Sequence, residues 1–82
     1  MNPDKKDVGT LIKQQKHKLL AIEEIPDHLA GQLKPLGIYE GSYVCILRYA
    51  PVGDPIIIAT PTHVIAISKD IAKQIKVRIE EK

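Results

Sequence analysis

The sequence predicts a mainly β fold: a small, five-stranded, SH3-like barrel with one short α-helix after the first strand and a single helical turn before the last. Three observations point there. Apolar runs of strand length, rich in Ile and Val, recur along the chain, and these residues suit a pleated, half-buried surface because their χ1 freedom is already restricted. Clusters of Gly, Pro and Asp separate the runs at turn positions. The 82 residues leave room for one core only.

Taken in order, residues 1–16 form a leader and residues 17–82 a single domain. Asn2-Pro3-Asp4 and the charges of Lys5, Lys6 and Asp7 make residues 1–7 a polar, frayed start. Val8, Leu11 and Ile12 have the spacing of one short amphipathic turn, although a flexible tail suits the same composition. His17 to Ile25 reads as the first strand, closed by Pro26. Asp27 then supplies an N-cap oxygen for a helix carrying Leu29, Ala30, Leu33 and Leu36, which Gly37 terminates. Pro35 lacks the N–H that the last turn needs, so that turn is expected to be distorted or to end early.

Gly41 through Tyr49 is the second strand, with Tyr43, Cys45, Leu47 and Tyr49 on one face and Val44 and Ile46 on the other. Pro51-Val52-Gly53-Asp54-Pro55 makes a turn into the strand of Ile56 to Ala59. Pro61-Thr62-His63 turns again into Val64 to Ile67. Ser68 reads as the N-cap of one helical turn, with Asp70 favourably placed for the helix dipole. Ile75, Val77 and Ile79 alternate with Lys76, Arg78 and Glu80 in a half-buried last strand, whose apolar edge suits weak pairing with a second copy.

Composition narrows the function classes. A hydrophobic fraction of 44% with 27% charged residues is that of an ordinary folded chain. The formal charge of +2, with acids and bases mixed, lacks the basic stripe that phosphate backbones require, so no nucleic acid is expected as partner. The single Cys45 has no disulfide partner in the chain and suits a reducing cytoplasm as a small buried hydrophobe. No apolar stretch approaches the ~18 residues of a membrane span, and Met1 to Lys16 has no signal-peptide core, so a cytoplasmic chain without membrane insertion is expected.

No catalytic residue is assigned. A phosphate-cradling loop ending in Lys-Ser or Lys-Thr is absent, and no histidine is placed beside Cys45 by sequence. His17, His28, His63 and Cys45 are scattered without ligand spacing, while Asp27-His28 and Glu23-Glu24 are better explained as a helix start and a solvated edge. No metal site and no cofactor are therefore expected.

Leu33-x-x-Leu36-Gly37-Ile38-x-x-Gly41, then Val44-x-Ile46-x-x-Tyr49-Ala50-Pro51-Val52-Gly53-Asp54-Pro55-Ile56, then Ile65-Ala66-Ile67 and Ile75-x-Val77 resemble the FeoA family. The resemblance spans roughly Leu19 to Val77. It implies an SH3-like barrel that serves bacterial ferrous iron transport as a non-enzymatic accessory protein, with a membrane iron permease bearing a GTP-binding cytoplasmic domain as its partner. Three places depart from the family pattern: Pro35, the Pro61-Thr62-His63 turn, and Gln14-Gln15-Lys16-His17, where the family commonly has a Gly ahead of the first strand.

Surface apolarity supplies Leu36, Ile38, Tyr39, Tyr43 and Val52 as candidate partner-binding residues, and the Pro51-to-Pro55 turn adds Asp54. Aromatic and aliphatic anchors of this kind dominate interfaces, while a small barrel needs many of the same residues for closure. The alternative function is a small barrel that binds another protein, peptide or nucleic acid and has no connection with iron, because one fold hosts many functions.

Overall fold

The computed structural model describes residues 8–80. The frayed leader expected for residues 1–7 lies outside the described residues. The chain is mainly β, but it has six strands instead of five: β1 (Val8–Thr10), β2 (Leu20–Glu24), β3 (Tyr43–Tyr49), β4 (Ile56–Ala59), β5 (Val64–Ile67) and β6 (Lys76–Ile79). They form one antiparallel sheet in the order β1-β6-β2-β3-β4-β5. Among the described residues no ladder joins β1 to β5, so the sheet is not closed into a barrel.

The extra strand comes from the segment whose apolar spacing suggested a helical turn. Val8, Gly9 and Thr10 pair with Arg78, Val77 and Lys76, and only Leu11–Lys13 then coil into a 3₁₀ turn. Tertiary pairing overrides local spacing here: the Leu11 N–H donates to the Ile75 carbonyl at 2.8 Å, and the Leu11 side chain is fully buried. The same pairing removes β6 from the sheet edge. It lies between β1 and β2, so the last strand is not free to pair with a second copy as its sequence suggested.

Two bulges curl the sheet around its core. The β2–β6 ladder shifts register between Ile22 and Glu24, and the β3–β4 ladder shifts between Ile46 and Arg48. A bulge bends its strand and increases the local twist. The concave side packs Leu20, Ile22, Val44, Ile46, Ile56, Ile58, Ile67 and Val77 into one cluster. Leu11, Ala72 and Ile75, all fully buried, belong to the same cluster, as do Ile25, Leu29, Leu33 and Ile38 from the helical side.

The second bulge also moves Tyr49. Up to Ile46, which opposes Ile58, the faces alternate as the sequence predicts. The extra residue then places Tyr49 opposite the fully buried Ile56, on the core side and not with Tyr43 and Cys45. Its hydroxyl donates to the Gln14 carbonyl, with the Ile12 carbonyl at 3.4 Å, and so fastens the N-terminal segment to β3. Burial raises the Tyr49 phenol above its usual 10.0.

The folded state therefore holds this proton more tightly than the unfolded chain does. Its contribution is fully present below the unfolded value and is lost as pH climbs above about 10. Alkaline unfolding monitored by circular dichroism should be steeper above that pH in the native chain than in Tyr49→Phe. At neutral pH the variant should be about 1 kcal/mol less stable through loss of the hydrogen bond.

Helix α1 (Asp27–Leu33) follows β2. Asp27 is its first helical residue, not its cap. Pro26 occupies the cap position, and its carbonyl accepts from the N–H groups of Leu29 and Ala30, with no side-chain cap. Pro35 has the expected consequence: the helix tightens into a 3₁₀ turn over Lys34–Leu36, ended by Gly37 at φ 93°. Before β6, α2 (Lys69–Ala72) is capped as the sequence predicts, with the Ser68 hydroxyl accepting from the Ile71 N–H at 3.2 Å.

Candidate functional site

The helix, its 3₁₀ extension and the loop into β3 enclose a groove of about 340 Å³. Ile25, Ala30 and Ile38 supply apolar lining, Asp27, Lys34 and Glu40 supply charge, and Tyr39 stands at 46% exposure beside them. A groove of this volume falls in the range of small ligand and peptide-anchor sites.

Ser42 organises the wall that carries Tyr39. It is the only buried polar residue among those described, and its hydroxyl lies 3.0 Å from the Gly37 carbonyl and 2.8 Å from the Tyr39 carbonyl while accepting from the Tyr39 N–H at 3.2 Å. The Gly41 N–H donates to the Ile22 carbonyl and the Ile22 N–H to the Ser42 carbonyl, which ties the loop to β2. Glu40 closes the other side, accepting from the Ile25 N–H at 3.4 Å. Ser42 was not singled out from sequence. Its signal was a small hydroxyl next to a turn glycine, where such groups bond local backbone.

The six candidate residues do not form one patch. Ile38 is fully buried in the core, and Leu36 is half-buried against it. Tyr39 lines the α1 groove. Tyr43, 43% exposed, instead borders a shallow apolar depression of about 220 Å³ with Leu19, Cys45, Ala59 and Pro61. Val52 is 80% exposed at the β3–β4 turn. In the same turn the Asp54 carboxylate accepts from the Lys69 N–H at 3.1 Å, so it is engaged in holding the start of α2.

Cys45 is half-buried on the outer side of the sheet and not a core hydrophobe. Glu23 and Glu24 are engaged by Arg78 at 3.3 Å and Lys76 at 4.0 Å across the β2–β6 ladder. Among the described residues no three His, Cys, Asp or Glu side chains converge as a metal centre would require. None of the described helices is long and apolar enough to cross a membrane.

The model of the FeoA domain matches residues 10–79, from the end of β1 through β6. The chain belongs to the FeoA family. Solved structures agree on the fold. The FeoA protein of Chlorobium tepidum superposes with a TM-score of 0.81 at 23% identity, covering 89% of this chain and 71% of that one. A FeoA-like protein of Clostridium acetobutylicum gives 0.80 at 22% identity, covering 93% and 91%. The zinc complex of Stenotrophomonas maltophilia FeoA, described as an SH3 domain protein, gives 0.70 at 25% identity, covering 84% and 88%. No curated protein matches the chain.

The FeoA family is associated with ferrous iron transport. His17 has φ 66°, in the left-handed region that favours glycine.

Proposed function

We propose that this FeoA domain is a cytoplasmic, non-enzymatic accessory protein of ferrous iron uptake that binds the cytoplasmic part of the iron permease. The family match over residues 10–79 carries this reading. The Stenotrophomonas maltophilia relative, described as a candidate ferrous iron transport activating factor, supports the same role. The contact face is the α1 groove, with Tyr39 as its anchor. An exposed aromatic side chain on a backbone pinned by Ser42 loses little conformational entropy on docking. Leu36 flanks it, while Tyr43, Val52 and Asp54 belong to separate parts of the surface and serve as secondary contacts.

Calorimetric titration of the chain into the cytoplasmic domain of the permease tests this. Saturable binding is expected, and Tyr39→Ala should weaken it about tenfold or more while leaving the melting temperature unchanged, because the ring is half exposed. Absence of binding by the folded chain at several hundred micromolar, or full affinity in the variant, would overturn the assignment.

A further inference from the structure

The two outer strands of the sheet differ in how they end it. β1 is three residues long and contains Gly9, whereas β5 presents Val64-Ile65-Ala66-Ile67 with no charge and no proline. Natural sheets usually blunt such edges with Lys, Pro, bulges or a covering segment. Val64 is 67% exposed and Ala66 is also exposed, and among the described residues no strand lies beyond them.

The unpaired backbone groups can be assigned. The Thr60 N–H donates to the His63 carbonyl at 2.8 Å, so Thr60 and His63 form a hydrogen-bonded pair at the head of the β4–β5 hairpin. Antiparallel ladders alternate. The next hydrogen-bonded pairs are then Ile58 with Ile65 and Ile56 with Ile67, which leaves the N–H and C=O of Val64 and Ala66 directed away from β4.

We propose that β5 is a homodimerisation edge, pairing antiparallel with β5 of a second copy about a two-fold axis through Ile65. In that register Val64 opposes Ala66 of the other copy, and each pair exchanges two N–H···O=C bonds. All four free groups on each edge are thereby used. No other register of two such strands about a two-fold axis does this, because shifting it leaves an outward group without a counterpart. The exposed Val64 side chain meets the small Ala66 methyl, so the pairing needs no repacking, and no like charges face each other.

The interface is narrow. A four-residue ladder buries far less than the ~800 Å² per partner of a standard stable complex, so the dimer is a weak one that forms only at high concentration. The surface differs from the α1 groove, and the inference does not rest on the permease reading.

Sedimentation equilibrium from tens of micromolar to on the order of 1 mM, with amide exchange measured by NMR over the same range, tests it. The native chain should shift from monomer to dimer, with exchange at Val64 and Ala66 slowing as concentration rises. Two variants should stay monomeric with unchanged circular dichroism: Val64→Lys, which charges the edge, and Ala66→Pro, which removes an outward donor without touching the β4 ladder. Three results would overturn the proposal: a native chain monomeric throughout, a dimer that survives in folded Val64→Lys, or protection of Val64 and Ala66 independent of concentration, which would mean cover from within the same chain.

Discussion

Gly37→Ala is expected to destabilise the chain by about 2–5 kcal/mol, from two separable causes. Gly37 has φ 93°, where a side chain costs roughly 1–2 kcal/mol. A Cβ there would also lie 2.8 Å from Thr60 Oγ1 and 3.1 Å from Thr60 Cβ. That hydroxyl does not yield easily, because it accepts from the His63 N–H at 2.9 Å and so holds the β4–β5 turn. Forcing such a contact adds about 1–3 kcal/mol. Gly41→Ala is the matched control, with the same φ of 93° and no heavy atom within 4 Å, and should show the backbone cost alone, about 1–2 kcal/mol. Urea denaturation of the two variants checks this. Equal losses would mean that the approach of the Gly37 loop to the Thr60 turn contributes nothing.

Ile38→Ala should cost about 2–5 kcal/mol, the usual range for emptying a fully packed aliphatic site. A chain of this size is stable by only about 4–12 kcal/mol at ~0.05–0.15 kcal/mol per residue, so a large fraction of its stability would go. Val52→Ala, at an 80% exposed site, should change stability by no more than about 0.5 kcal/mol. The pair separates two meanings that sequence had merged, since both residues were candidates for partner contact on apolarity alone. Any loss of permease binding in Ile38→Ala should track its folded fraction, measured in the same samples by circular dichroism. A loss of affinity in fully folded Ile38→Ala would return Ile38 to the binding surface.

The strands β2 to β6 and both helices were legible because each is written in local terms: alternating or continuous β-branched runs, bounded by Pro26, Gly37, Gly53 and Ser68. The early end of α1 was legible from Pro35, whose missing N–H is a property of the residue itself. The N-terminal strand was not. Val8-Gly9-Thr10 is too short and too weakly apolar to announce a strand, and becomes one only because Val77 and its neighbours offer an open edge seventy residues away. The face of Tyr49 was misread for a related reason. A bulge at Leu47 has no Gly or Pro to mark it and exists only relative to β4.

The candidate site was half legible. An exposed aromatic anchor near Gly41 follows from sequence, but Tyr39 and Tyr43 are separated by the turn that Ser42 pins, and Ile38, though it borders the α1 groove, is fully buried in the core.

The paired segments from Leu36 to Gly41 and from Ala50 to Ile56, by themselves, determined consecutive tight turns around one strand and carried the resemblance to the FeoA family, which the match over residues 10–79 shows. Tertiary structure alone decided that, among the described residues, the sheet stays open, β6 is interior and β5 is left as the uncovered edge. The reason is that turn geometry depends on residues adjacent in the chain, whereas a strand's position in the sheet depends on which distant backbone satisfies its hydrogen bonds.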